Sequence, residues 1–393
     1  MTKVGIITLY YGNDNYGGIA QAYALNRYIQ KLGYDSELIS YKRSPSHIPG
    51  TREKIKKEGI GAFIKGKFEM LPEKIYVKIT TKLAEKKYQD ELKPYIEQRK
   101  EAFARSRELA DHSDVVYTED SISDCIGKYD VYVSGSDQIW KPGVLQSPYV
   151  FEFLPEGYKR FSYASSITVT ELTDSYGAYM KKMLSNYSWI SVREQSAKLY
   201  LEEITGRNVD VVVDPTLLLD EEDWNGITAQ RVVQENYIFV YLLGENVKQR
   251  KIITKFAKKN NLKIVTLPHV EGKVRACDVG FGDIHLYDVD LPTFFSLIKY
   301  ADYVCTDSFH AVVFSNVFET NFLAFERVIL SKKANMNSRM DTLLKMLSEE
   351  EKFILKNNGI EDTNVRAIDF EKVKHTLKEH KTVSQNLLLE ALS

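Results

Sequence analysis

Along most of the chain, apolar residues come in short runs of strand length, each followed by a polar turn and then by a stretch with apolar positions every three or four residues. The first run is VGIITL, ending at Leu9, and the glycine-bearing stretch Tyr10 to Gly18 follows it. In IAQAYALNRYIQKLG, Ala22, Leu25, Ile29 and Leu32 recur at helical spacing, and Gly33 stands where a helix would stop. SELISY, ending at Tyr41, reads as a second strand. Strand, helix and strand make a βαβ unit, whose first loop faces the ligand side of a parallel sheet.

The rhythm breaks between Arg52 and Lys87, where eleven Lys and Arg stand against five Asp and Glu. The broader insertion runs over about 52–110. Two readings fit it: surface helices packed on the first domain, or a Lys-rich amphipathic element facing an anionic membrane leaflet. The alternation resumes with YDVYVSGSDQIW, FSYASS, a helix near Asp174 to Tyr187, WISVRE, a helix from Gln195 to Thr205, and VDVVVDP ending at Pro215. Residues 215–236 are polar and break the pattern, which marks a domain boundary. A second series follows: YIFVYLL, a helix over Lys248 to Asn260, KIVTLP, a helix near Leu291 to Tyr300, YVCTDS, a helix opening at His310, and NFLAFE. The last stretch, with Phe370, Val373 and Leu377 on one face, predicts a C-terminal helix. The expected fold is α/β: two Rossmann-like domains over 1–215 and 216–370 facing a central cleft, with 371–393 packing back on the first.

With 393 residues, two domains of ordinary size are expected, and 44% apolar with 27% charged residues excludes disordered and fibrous classes. A formal net charge of −1 leaves no global basic field for nucleic acid. Cys125, Cys277 and Cys305 are scattered without CxxC spacing, which fits neither a disulfide framework nor a zinc site and suits a reducing cytoplasm. No run of eighteen apolar residues occurs, so neither a signal peptide nor a membrane span is expected.

Candidate chemistry gathers at predicted strand ends. Asn13, Asn15, Tyr16, Gly17 and Gly18 combine polar side chains, close backbone approach and a helix start, suited to a hydroxylated or anionic ligand. Without G-x-G-x-x-G or the Walker lysine they also read as a plain turn. Ser136, Asp137 and Gln138 follow a strand; Asp137 serves equally as general base, ligand for sugar hydroxyls or helix cap. Arg193 lies between a strand and a helix, placed for a carboxylate or phosphate or for a neighbouring acid. Asp307, Ser308 and His310 open an apolar helix, with His310 a proton donor, a phosphate ligand or a buried structural imidazole. Ser338 and Arg339 begin another helix.

NYGGIAQAYAL, SGSDQIW, SVREQS with VVDPTLLL, DSFHAVVFS and NSRMDTLL occur in this order, and together they resemble the polysaccharide pyruvyl transferase family. The resemblance runs to about residue 347, the Lys-rich insertion excepted. It implies a GT-B-like pair of Rossmann domains, phosphoenolpyruvate as donor, and transfer of its carboxyvinyl carbon to two hydroxyls of a sugar as a cyclic ketal. It also implies donor-binding roles for Arg193 and His310. Family members often carry an arginine-leucine pair before that histidine, where this chain has Ser308 and Phe309, and Arg339 is the candidate replacement.

On this reading His310 is the donor-site acid or phosphate ligand and Asp137 the base or orienting carboxylate. Arg193, Ser308, Ser338 and Arg339 complete the donor side. Asn13, Asn15, Tyr16, Gly17, Gly18, Ser136 and Gln138 form the acceptor side with Asp137. No cofactor is expected, phosphoenolpyruvate being a co-substrate, and no metal-ligand spacing is visible. The expected partners are phosphoenolpyruvate and a sugar acceptor, either free or lipid-linked, and the expected location is the cytoplasm, with peripheral contact at the inner face of an anionic membrane as the open alternative. Two rivals stay open: a glycosyltransferase using a nucleotide sugar, and a non-catalytic glycan-binding homologue.

Overall fold

The computed structural model describes residues 1–44, 86, 91–168, 172–270, 275, 277–327, 338–348, 353–354 and 367–393. The Lys-rich segment, but for Lys86, lies outside them, and both readings of it fall there.

The first series folds as β1 (Lys3–Ile7), α1 (Tyr16–Lys31), β2 (Asp35–Leu38), α2 (91–107), β3 (Val131–Ser134) and β4 (Lys159–Ser162). The four strands form a parallel sheet in the order β2-β1-β3-β4, with Val4 opposite Val131 and Lys3 opposite Asp35. Next come α3 (Asp174–Leu184), β5 (Ser191–Val192), α4 (Gln195–Thr205) and β6 (Asp210–Val211). The β5-β6 pair extends the sheet past β4 through bridges from Phe161 to Trp189 and from Ser165 to Val192. β2 stops short of the Tyr41 expected from sequence because its edge changes partner there. Ser40 and Lys42 bond to Tyr117 instead of to β1.

Beyond the short helix α5 (Glu221–Asn225) lies the second unit. It comprises β7 (Tyr237–Tyr241), α6 (Val247–Lys259), β8 (Lys263–Thr266), β9 (Ile284–His285), α7 (Leu291–Lys299), β10 (Tyr303–Thr306), α8 (Phe309–Val317), β11 (Phe322–Phe325), α9 (Ser338–Met346) and β12 (Phe353–Ile354). Its strands are parallel in the order β12-β11-β10-β7-β8-β9. The protein is therefore an α/β structure of two Rossmann-like sheets.

Between the sheets lies α1, which is why its burial is not confined to the predicted apolar stripe. Tyr16 stacks on Phe294 at 4.4 Å and donates its hydroxyl to Val289 O. Trp224 meets Phe295 and Phe314 edge-on at 5.1 and 4.9 Å, so one apolar core joins both units. Truncating a residue such as Ile29 to alanine here would cost about 2 to 5 kcal/mol. The last helix, α10 (Phe370–Leu392), returns to the first unit, where Val213 N donates to Ser384 Oγ and Gln385 to Leu218 O. No described helix is long and apolar enough to cross a membrane.

Candidate active site

The carboxyl ends of β3, β5 and β6 meet the first turns of α8 and α9, and the polar residues after each strand converge there. After β3 the chain turns through Gly135, at φ +134°, where a β-carbon would collide with Tyr163 O. Ser136 Oγ donates to Ala164 O at 2.9 Å, and its amide donates to Gln21 Oε1. Asp137 then takes φ 68° and ψ −171°, a region that residues with side chains avoid, and its carbonyl accepts from Ser166 N at 2.9 Å. This backbone fixes where its carboxylate points.

Arg193, just past β5, is buried and bridges two acids. It donates to Asp137 Oδ1 at 3.1 Å and to Asp214 Oδ2, with its guanidinium 5.0 Å from the Phe309 ring centre. Arg339, on α9, lies 5.5 Å from the same ring and 3.5 Å from Asp137 Oδ1. The two guanidiniums thus share a carboxylate and an aromatic ring, each stacking on Phe309 as an arginine readily does. Asp214 accepts from Thr216 N and Oγ1 at 3.0 and 2.7 Å, and its other oxygen lies 3.6 Å from His310 Nε2. His310 sits against the first turn of α1. A β-carbon on Gly17 would collide with its ring, the farthest of the three nearest ring atoms being 2.8 Å away.

These contacts set the charges. Burial raises the pKa of Asp137, but Arg193, Arg339 and His310 outweigh it and hold the carboxyl below its usual range. Asp214 is likewise desolvated, and Arg193 with His310 holds it lower still. Burial, reinforced by Arg193 and opposed by Asp137, pushes Arg339 down to about 10. Lys141, four residues past Asp137, is pushed down by burial and then by Arg339 and Arg327. Its side chain has no hydrogen bond or ion pair among the described residues. Arg193 Nε, Arg339 Nε and His310 Nε2 are buried without a hydrogen-bond partner among the described residues.

Several expected residues have other tasks. Tyr16 is wholly buried and belongs to the core, so it leaves the acceptor side. Asn15 caps α1 by accepting from Gly18 N, and Asn13 donates to Leu9 O at 3.0 Å. Gly17 gives room to His310, and a β-carbon on Gly18 would meet Asn13 Nδ2 at 2.6 Å. Ser136 is fully buried, and its hydroxyl donates to Ala164 O. Gln138 alone of this group is part-exposed with no side-chain hydrogen bond among the described residues, at the head of a 3₁₀ turn. Asp137 is a poor base because the flanking cations keep it ionised; it is the counter-ion that spaces the two arginines. Ser308 caps α8 without bonding its amides, and Ser338 opens α9.

Asp214 and Glu194 were not expected at the site. The signal for Asp214 was present: VVVDP ends a strand as SGSD and SVRE do. Glu194 Oε1 accepts from Ser166 Oγ, Ile167 N and Thr168 N at 2.9 to 3.0 Å, while its buried Oε2 has no partner among the described residues. Among those residues no group of three His, Cys, Asp or Glu is arranged to hold a metal.

The polysaccharide pyruvyl transferase family model matches residues 15–327, which takes in every strand-end motif of the site except that of Arg339. The chain belongs to this family. No curated protein matches it. Among solved structures, this pyruvyl transferase family member is similar to the UDP-GlcNAc 2-epimerase of Neisseria meningitidis bound to UDP-GlcNAc, at 10% identity over 99% of this chain and 100% of that one, with a TM-score of 0.49. It is also similar to a putative UDP-N-acetylglucosamine 2-epimerase from Listeria monocytogenes, at 10% identity over 96% and 94% and a TM-score of 0.48. In this pyruvyl transferase family member, two guanidiniums, those of Arg193 and Arg339, gather around Phe309 at the ends of β3 and β5.

Proposed function

We propose that the protein transfers the pyruvyl group of phosphoenolpyruvate to two hydroxyls of a sugar in a polysaccharide precursor, forming a cyclic ketal and releasing phosphate. The observation that carries this reading is the set of buried basic side chains, Arg193, Arg339 and His310, each with a nitrogen that has no hydrogen-bond partner among the described residues. A ligand with both a carboxylate and a phosphate matches such donors, since charge-assisted hydrogen bonds are the strong ones.

In the proposed reaction the methylene carbon of the donor gains a proton, the adjacent carbon gains two C–O bonds to the sugar, and its bond to the phosphate oxygen breaks. Of the two protons lost by the sugar hydroxyls, one balances the new methyl group and the other leaves with phosphate. His310 is the group placed to deliver the first, with Asp214 beside it to orient the ring and stabilise the imidazolium. The arginines and Lys141 carry the leaving phosphate's charge. No cofactor enters this scheme.

Incubating the protein with phosphoenolpyruvate and a panel of sugar acceptors, followed by mass spectrometry, tests the reading. A pyruvate ketal with release of phosphate is expected. Transfer from a nucleotide sugar, with phosphoenolpyruvate inert, would overturn it in favour of glycosyl transfer; glycan binding with no turnover would favour the non-catalytic rival.

A further inference from the structure

A cavity of about 530 Å³ lies outside the arginine cluster, between α2 and the ends of β8 and β9. Its volume is that of a small-molecule site. On one wall Tyr95 of α2 stacks on Tyr287, with ring centres 3.9 Å apart and planes 17° from parallel. Neither phenol hydroxyl has a hydrogen-bond partner among the described residues. Arg99, one turn along α2, fastens this wall by donating to Leu286 O and Tyr287 O at 2.9 and 2.7 Å.

The facing wall holds His269 and Arg275. Arg275 donates to Leu243 O at 2.5 Å and lies 3.4 Å from His269 Nε2, while its acidic neighbour Glu245, 43% exposed, is 3.6 Å away. Burial, then Arg275, pushes His269 down to about 4, so its ring is neutral at pH 7. The buried Asp278 adds no free negative charge, because Arg250 takes it at 2.5 Å. His285 places Nε2 2.8 Å from Phe281 O, so that nitrogen donates to the carbonyl. The cavity, which Glu91 also lines, therefore offers the Arg275 guanidinium, imidazole and phenol hydrogen-bonding groups, and aromatic surface. That combination suits a sugar ring bearing a phosphate: the hydroxyls meet phenol and imidazole, and the phosphate meets guanidinium.

Its position relative to His310 follows from the sheet. β10, which leads to His310, and β8, which leads to His269, are separated by β7, so their ends are about 10 Å apart at ordinary strand spacing. The rim between them is continuous. Asp307 accepts from Leu243 N and Gly244 N at 2.7 Å, and Arg275 bonds to Leu243 from the other side.

We infer that this cavity binds the sugar-phosphate portion of the acceptor, with Arg275 on the phosphate and the Tyr95–Tyr287 wall on the sugar, so that the pyruvylated sugar projects along the rim toward His310. The assignment rests on the transfer reaction proposed above. It moves the acceptor away from the α1 loop, whose side chains are committed to the fold.

The test is calorimetric titration of the full chain with glucose, galactose and mannose 1-phosphates, the matching methyl glycosides, and inorganic phosphate. At least one sugar phosphate should bind more tightly than its glycoside or phosphate alone. Arg275→Gln should weaken it about tenfold or more, and Tyr287→Phe, which removes only an unpartnered hydroxyl, about threefold. Phosphoenolpyruvate affinity should be unchanged in both. No binding by any sugar phosphate, unchanged binding in folded Arg275→Gln, or displacement of the sugar phosphate by phosphoenolpyruvate would each overturn the assignment. Because this readout needs no turnover, failure of ketal formation would remove the transfer reading while leaving the binding result intact. Turnover with an unchanged acceptor KM in both variants would remove the cavity assignment alone.

Discussion

Gly17 and His310 come from different Rossmann-like units and touch where their elements cross, the first turn of α1 lying against the first turn of α8. The imidazole occupies the space of the missing β-carbon. The glycine is thus required by close approach, not by a special backbone angle, and it ties the placement of His310 to the packing of one unit on the other.

Gly17→Ala should accordingly push the ring away. A displacement of about 1 Å at a reacting group costs on the order of a hundredfold in rate, so kcat should fall by about that factor while the protein stays folded. In an His310→Gln background the same substitution should add little, because the two act through one side chain. Kinetics of the single and double variants check this; independent, additive losses would place the effect of Gly17 elsewhere.

Asp214 holds two cations, and its removal should show as a pH-dependent stability change. Its folded pKa lies below its unfolded value near 3.9, so the unfolded chain binds the extra proton and the contribution is present in full above that pH and lost as pH falls. Asp214→Asn should lower stability by about 3 to 5 kcal/mol at neutral pH, the range for breaking a buried pair. The gap between variant and parent should narrow below about pH 4, where the Asp214 contribution is lost. Denaturant titrations at several pH values measure it, and a gap that widens with acid would contradict the assignment. The same logic predicts that Arg193→Ala, which strands both Asp137 and Asp214, damages the fold as well as donor binding. The ion pair to a neighbouring acid, which the sequence left open for Arg193 beside a ligand-binding role, is present here with two acids.

The Lys141 side chain has no ion pair among the described residues, and Arg339 and Arg327 outweigh the attraction of Asp137, so an anionic donor is the partner that would relieve the repulsion. Lys141→Met should weaken phosphoenolpyruvate binding by about 1.5 to 3 kcal/mol. Its lowered pKa means the charge is lost earlier on the alkaline side than for an ordinary lysine. Donor affinity should fall with rising pH before the usual lysine range, and the variant should lose the Lys141 part of that fall while keeping the part from Arg339 near 10. Calorimetry across pH decides; a variant with parental affinity would take Lys141 out of the site.

The strand ends were legible because the parallel α/β pattern puts them on one side. SGSD, SVRE and SFH each follow an apolar run, and the fold brings Asp137, Arg193 and His310 together. What the sequence did not reveal is how each polar group is spent. Asn15 looks like a ligand residue until its bond to Gly18 N is seen, and Tyr16 until its hydroxyl is found on Val289, 273 residues away. Asp214 was hidden by its proline, which reads as a boundary. The Tyr95–Tyr287 wall joins residues from different units, and no periodicity along one segment reports such a pair.

The assignment of His310 as proton donor to the methylene carbon makes the sharpest demand. His310→Gln keeps the ring's approximate volume and a hydrogen-bonding amide but cannot deliver a proton, so turnover should fall by roughly two to four decades, the usual yield of a positioned acid. Phosphoenolpyruvate affinity should change far less, because Arg193 and Arg339 remain. If the loss lies instead in donor affinity with kcat preserved, the imidazole is a phosphate ligand and the proton comes from elsewhere. The buried, unpartnered Oε2 of Glu194, one residue past Arg193, would then be the next group to replace. Running the reaction in deuterated water separates the cases: deuterium enters the new methyl group in either, but only a proton-transfer role makes the solvent isotope effect on kcat change in the variant.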